Sequence, residues 1–178
     1  MPPKAQPKAS FYASLPRFDV HNNEERPTRL QQERLAWELV EAATTGNLKQ
    51  LLEAVQHRAD LDCRYNGCTP LYYAAKHGFT PLVRCLLSYG ARVETRNLKA
   101  RTALMIAASR GHFETVLALL HAGAKPTTKD AAGETARLLA LRNGHPDVVD
   151  ALDMHAHPAM TRAATIALKL QRLHQSGR

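Results

Sequence analysis

The chain has 178 residues and a formal net charge of +8, and 44% of its residues are hydrophobic. This length accommodates one ordinary domain with tails, and a charged fraction of 22% is normal for a globular protein. No apolar run approaches the roughly 18 residues that a membrane span needs, so we expect no membrane-spanning segment.

The cysteines and the N-terminal sequence indicate the cellular compartment in which the protein is expected. Cys63, Cys68 and Cys85 are an odd number without a paired framework, which is typical of free thiols in a reducing environment. The stretch from Met1 to Phe18 lacks the continuous apolar core of a secretory signal. Its prolines also disfavour the amphipathic helix of an organellar presequence. We therefore expect a cytoplasmic protein, with a cytoskeletal or organellar assembly as the alternative.

Residues 1–27 contain five of the ten prolines and few aliphatic residues. This composition predicts an extended, disordered arm. Phe11, Tyr12, Leu15 and Phe18 interrupt its polarity, either by chance or as a short docking motif.

The first predicted helix begins near Pro27 and Thr28, because Gln31 lies three residues after the threonine as in a capping box. It is expected to run to about Ala43. Trp37 lies off the apolar stripe of this helix. We expect it to cover the open end of the domain, with exposure for binding as the alternative.

A period of 33 residues dominates the rest of the chain. Within one period, Leu71, Ala74 and Ala75 predict a short helix that ends at Gly78, and a second apolar stripe follows. Such a period is typical of a solenoid of stacked helical pairs that presents one continuous binding face. The residues that repeat at this spacing are Thr69, Thr102 and Thr135, and also Gly78, Gly111 and Gly144.

These repeats resemble the ankyrin repeat family. The matching segments are Gly67-Cys68-Thr69-Pro70-Leu71, Leu86-Leu87-Ser88-Tyr89-Gly90-Ala91, Thr102-Ala103-Leu104 and Leu119-Leu120-His121-Ala122-Gly123-Ala124, with degenerate copies on both sides. The resemblance implies an all-α solenoid of about four helix-turn-helix repeats within 28–152. The expected repeat bounds are about 35–61, 62–94, 95–127 and 128–152.

The sequence departs from the family at a histidine that normally lies three residues after the threonine. Tyr72, Met105 and Leu138 replace it. Because that histidine usually joins a hydrogen-bond network at the base of the hairpin, we expect looser hairpins than in an idealised array.

The resemblance also implies a binding surface on the hairpin tips and the exposed ends of the first helices. Carried over by register, the partner-binding residues are Tyr65, Asn66, Lys76, His77, Arg96, Leu98, Lys99, Arg101, Arg110, Lys129 and Arg142. The same surface also includes Cys68, Ser109, Glu134 and Asn143. Seven residues of this surface are lysine or arginine and one is acidic. We therefore expect a basic concave groove, and a chance scatter of charge is the alternative.

The repeat ends after Leu152, and residues 153–178 predict a basic amphipathic C-terminal helix. Its apolar face consists of Ala163, Ile166, Ala167, Leu170 and Leu173, and Arg162, Lys169 and Arg172 lie around that face. This helix either covers the last repeat or docks on a partner or an anionic surface.

The sequence shows no constellation of catalytic or metal-ligating residues. Cys63 and Cys68 lack a second pair at zinc spacing, and His155 and His157 lack a neighbouring thiolate or carboxylate cluster. No glycine-rich phosphate loop occurs. We therefore expect no enzymatic activity, no cofactor and no metal.

Three functions remain open at this point. The leading hypothesis is a protein-interaction adaptor whose basic groove binds an acidic segment of another protein. The second is a structural subunit of a larger assembly, anchored by the N-terminal arm and the C-terminal helix. The third is nucleic-acid binding, which the lack of an Arg/Gly-rich tract and of an aromatic stacking platform disfavours.

Overall fold

The computed structural model describes residues 29–156. Within this range the chain forms helices without strands, and the only bridge between extended residues joins Tyr65 to Cys68. The helices are α1 (Arg29–Thr45), α2 (Leu48–Gln56), α3 (Pro70–His77), α4 (Thr80–Ser88), α5 (Ala103–Ser109), α6 (Phe113–His121), α7 (Ala136–Arg142) and α8 (Pro146–Ala156).

The helices pair in sequence and stack in two rows. The first helices of the four units, α1, α3, α5 and α7, pack each against the next, and the second helices α2, α4, α6 and α8 do the same. A continuous core of alanine, leucine and valine runs between the rows. The all-α solenoid of four helix-turn-helix repeats is thus confirmed.

The periodic threonines begin the first helices. The hydroxyl groups of Thr69, Thr102 and Thr135 each accept a hydrogen bond from the backbone NH three residues later, at 3.4 Å. This side-chain cap satisfies one of the donors that the first turn of a helix leaves without a partner. Helix capping therefore explains why a threonine recurs at the start of each of these three helices.

Three of the glycines that follow first helices, Gly46, Gly78 and Gly111, are each covered by a ring from the following unit. Gly78 has a φ of 72°, which favours glycine, and a β carbon placed there would lie 2.7 Å from Nδ1 of His112. The same arrangement pairs Gly46 with Phe79 and Gly111 with His145. The glycines thus both end a helix and admit the neighbouring unit.

The hairpins between units are tight turns that are stabilised by hydrogen bonds within the turn. Asn66 and Gly67 both have positive φ and form a two-residue turn, across which Tyr65 and Cys68 exchange backbone hydrogen bonds of 3.0 Å. The next hairpin is one residue longer. There the side chain of Asn97 accepts hydrogen bonds from two backbone NH groups at 2.9 Å.

Carboxylates link each hairpin to the loop of the following unit. Oδ1 of Asp62 accepts a hydrogen bond from the backbone NH of Arg92 at 3.0 Å. One unit later, Oε1 of Glu94 accepts a hydrogen bond from the backbone NH of Lys125 at 2.9 Å. These hydrogen bonds tie the loops of successive units to one another.

Two element boundaries differ from the sequence expectation. Helix α1 extends to Thr45, and α8 continues past the expected domain end at residue 152 to Ala156. The predicted N-terminal arm at 1–27 lies outside the described residues, as does residue 28 with the predicted capping box. The predicted C-terminal helix lies outside them from residue 157 onwards. None of the described helices combines the length and apolar character that crossing a bilayer requires.

Candidate protein-binding surface

The residues selected from the sequence lie on the hairpin tips and at the C-terminal ends of α3, α5 and α7. We call this the first-helix surface. Tyr65, Asn66, Arg96, Leu98, Lys99, Arg101 and Lys129 belong to the hairpins, and Lys76, His77, Arg110 and Arg142 belong to the helix ends. A hydrogen bond of 3.1 Å from Nδ2 of Asn143 to Oγ of Ser109 shows that the helix ends of neighbouring units are in register.

A basic cluster joins the ends of α3 and α5. We define this cluster as Lys76, His77 and Arg110. Partial burial lowers the pKa of His77, and the positive charges of Lys76 and Arg110 and the nearby ring of His112 lower it further. The ring of His77 also stacks on Phe79, with centroids 5.7 Å apart. This part of the surface therefore disfavours an additional positive charge.

Tyr72 lies between the basic cluster and the second hairpin. Burial raises the pKa of its hydroxyl group, and the positive charges of Arg101 and Arg110 partly oppose that increase. The tyrosine that replaces the usual histidine thus lies near cations of both the second hairpin and the end of α5.

Two of the selected arginines are paired with acidic side chains. Nε of Arg101 lies 3.0 Å from Oδ2 of Asp130, and its Nη2 lies 3.7 Å from Glu134. The guanidinium group of Arg142 is also paired with Glu134. These two arginines have their charge balanced within the protein, so they add less to a basic groove than their sequence positions indicate.

Asp130 is the centre of this network. Its side chain is 2% exposed, and its Oδ1 accepts hydrogen bonds from the backbone NH groups of Ala132 and Glu134 at 2.9 Å. Burial alone would raise its pKa, but the backbone donors and Arg101 outweigh burial and lower the pKa. The third hairpin is therefore held by a buried carboxylate that stays ionised at neutral pH.

The remaining selected cations are exposed at the hairpin tips. Arg96, Lys99 and Lys129 are exposed, and among residues 29–156 they form no ion pair. Leu98 is 86% exposed, and its side chain lies over Gly67 of the preceding hairpin. The tips thus combine free positive charge with one large apolar side chain.

An aromatic pocket lies beside these tips, between the first and second units. It has a volume of about 170 Å³ and is lined in part by Trp37, Tyr65 and Tyr73. The hydroxyl group of Tyr73 donates a hydrogen bond of 3.1 Å to the backbone carbonyl of Tyr65. This bond fixes the hairpin against α3.

Trp37 was expected to cover the open end of the array, and this expectation was wrong. Its side chain is 56% exposed and shares a pocket with two residues of the next unit. On a helix, a residue two positions after Leu35 lies about 200° away from the buried stripe of Leu35 and Leu39. That angle was the signal in the sequence for exposure.

The sequence reasoning missed Tyr73 as a residue that accompanies Tyr65, and it held exposure of Trp37 for binding only as the alternative. It also treated all seven cations as equivalent. Within the described range, no group of three or more histidine, cysteine or acidic side chains could hold a metal ion.

Comparison with known proteins supports the repeat assignment. The family model described as "Ankyrin repeats (3 copies)" matches residues 39–130, just over half of the chain. No curated protein matches the chain.

Proposed function

Because the chain belongs to the ankyrin repeat family, whose repeats are protein–protein interaction modules, we propose that its first-helix surface binds an acidic segment of another protein. The observation that supports this proposal is the basic cluster of Lys76, His77 and Arg110, which forms no ion pair with any described residue. An acidic side chain placed there would supply the missing counter-charge.

The aromatic pocket supplies an apolar anchor for the same partner. Exposed aromatic side chains in a preformed pocket contribute large contact area at low entropic cost, and tryptophan and tyrosine are enriched among binding hot spots. Trp37, Tyr65 and Tyr73 provide such an anchor next to the free cations of the hairpin tips. We expect the partner segment to carry an apolar side chain among its acidic residues.

Affinity purification with the full chain as bait tests this function. The test variant is Lys76→Glu combined with Arg110→Glu, and the matched control is Arg84→Glu, an exposed arginine on the second-helix side. We expect the double reversal to weaken binding of the captured protein at least tenfold, about 1.4 kcal/mol or more, while the control keeps it. Equal binding by all three chains would contradict the proposal.

A synthetic aspartate- and glutamate-rich peptide tests the chemistry without the natural partner. Trp37 is the only tryptophan of the chain, so its fluorescence reports events at the pocket. We expect a saturable change that weakens steeply with added salt, because interactions between exposed charges are screened. The same change with a lysine-rich peptide would argue against a basic binding surface.

We also propose a reducing compartment, the cytoplasm, as the location. All three cysteines are free thiols, and Cys85 is completely buried in the core. Fractionation of cells that express the tagged full chain tests this location, and recovery in a secreted or membrane-enclosed fraction would contradict it.

A further inference from the structure

An apolar groove runs along the opposite side of the molecule, between α6 and α8. It has a volume of about 590 Å³. Phe113, Leu117 and Leu120 of α6 and Ala151 and Met154 of α8 contribute its apolar lining. Met154 is 53% exposed, although it is a large apolar side chain at the end of the described chain. An apolar groove of this kind on a protein surface marks a place where another element packs.

Two acidic side chains mark the other end of the groove. Asp147 and Asp150 lie about one turn apart near the start of α8, and both line the groove. Neither forms an ion pair with any residue of 29–156, whereas Asp153 on the same helix pairs with Arg137 at 2.7 Å. The element that fills the groove should therefore be apolar along one face and carry positive charge near Asp147.

We propose that the groove is filled by the chain's own C-terminal residues 159–173, which return along α8 as an antiparallel amphipathic helix. Helix α8 ends at Ala156 with Met154 and His155 in the groove, so the chain leaves α8 at the edge of the groove. Pro158 follows two residues later and favours a break before the chain returns. The returning segment offers Ile166, Leu170 and Leu173 to the apolar lining.

The distances of Lys169 and Asp147 from the break at Pro158 agree with an antiparallel helix. A helix that begins at residue 159 reaches Lys169 after about 15 Å, at 1.5 Å per residue. Going back along α8 from Ala156, Asp147 lies about 14 Å away by the same measure. Lys169 therefore arrives beside Asp147, a carboxylate that forms no ion pair with any residue of 29–156.

The direct attachment of the segment favours this occupant over a second copy or a separate partner. A segment linked by two or three residues to the edge of the groove has an effective concentration in the millimolar range, so even a weak contact is populated. The inference does not depend on the proposed function, because the groove lies on the second-helix side.

Hydrogen exchange on the full chain, read by mass spectrometry, tests the inference. The test variant is Leu170→Asp and the matched control is Leu168→Asp, since Leu168 is about 160° away on the same helix. We expect Leu170→Asp to increase exchange in α6 and α8 at least tenfold and to leave α1 to α4 unchanged. We expect Leu168→Asp to resemble the unmodified chain. Unchanged exchange in α6 and α8 of Leu170→Asp would overturn the inference.

A charge exchange provides the second measurement. We expect Asp147→Lys to increase exchange in α6, and Asp147→Lys combined with Lys169→Asp to restore the original protection. Failure of the second change to restore it would overturn the predicted alignment.

Dilution distinguishes the chain's own segment from a second copy. The protection of α6 and α8 from hydrogen exchange in the unmodified chain should be the same after tenfold dilution. Loss of protection on dilution would assign the groove to a second copy of the chain and would likewise overturn the inference.

Discussion

The imidazole ring of His112 occupies the space that a β carbon on Gly78 would need, with Nδ1 2.7 Å from that position. The same ring places its Nε2 3.0 Å from the backbone carbonyl oxygen of Lys76, which can only accept a hydrogen bond. One side chain thus both packs on the preceding unit and hydrogen-bonds to the last turn of α3.

Substitution of Gly78 by alanine should therefore cost more than the same substitution at Gly144. Both glycines have a similar positive φ, but no described atom lies within 4 Å of a β carbon at Gly144. We expect Gly144→Ala to lower the free energy of unfolding by about 1–2 kcal/mol through backbone strain alone. Displacement of the His112 ring should add about 1–3 kcal/mol for Gly78→Ala. Equal losses in urea denaturation would contradict this account.

The buried carboxylate of Asp130 should be one of the most sensitive positions of the hairpins. We expect Asp130→Ala to lower the free energy of unfolding by about 2–4 kcal/mol, because two backbone NH groups and Arg101 lose their acceptor. Asp153→Ala removes a carboxylate from the more exposed pair with Arg137 and should cost much less. Thermal denaturation of the two variants side by side provides the measurement.

His77 should make the stability of the protein depend on pH in a defined direction. Its pKa is lower in the folded chain than in the unfolded chain, so the unfolded state binds the proton more readily. Stability should therefore fall as the pH decreases through about 6.5, the usual histidine value. We expect His77→Gln to weaken this dependence while leaving stability at pH 7.5 nearly unchanged. An unaltered pH profile would show that other groups are responsible.

The proposed acidic partner should reverse this preference in the complex. A carboxylate beside His77 favours the imidazolium form, so binding should take up a proton and strengthen as the pH decreases from 7.5 to 5.5. Titrations in buffers of different ionisation enthalpy measure this uptake. Proton release on binding would place the partner's acidic groups elsewhere.

The three thiols should react at different rates. Burial raises the pKa of Cys85 to about 11, and burial together with Asp60 and Asp62 raises that of Cys63 to about 11. Because the thiolate is the reactive form, we expect alkylation at pH 8 to modify Cys68 first. Mass spectrometry after brief iodoacetamide treatment measures the order, and a denatured sample in which all three react together is the control.

The fold could be predicted because each rule behind it acts within a few residues. Thr69 caps a helix through the NH of Tyr72, and Gly78 ends that helix by adopting positive φ. Such local requirements leave the same residue at the same position in every period, so the period itself revealed the architecture.

The electrostatic details of the surface depended on contacts between units. Arg101 meets Asp130 across 29 residues, and no local pattern distinguishes it from Lys99, which remains exposed. The register of the family predicts both residues on one surface, but it carries no information on which cation has an internal partner. The helical angle predicted the exposure of Trp37, but not its neighbours Tyr65 and Tyr73, because they belong to another unit.

The rings that cover Gly46, Gly78 and Gly111 all come from the following unit, 33 or 34 residues later. An insertion of one whole period would leave each of these glycines beside a ring of the unit that follows it, whereas an insertion of a few residues would separate a glycine from its ring. We therefore expect the fold to tolerate the duplication of a complete unit and to be disrupted by the duplication of part of one.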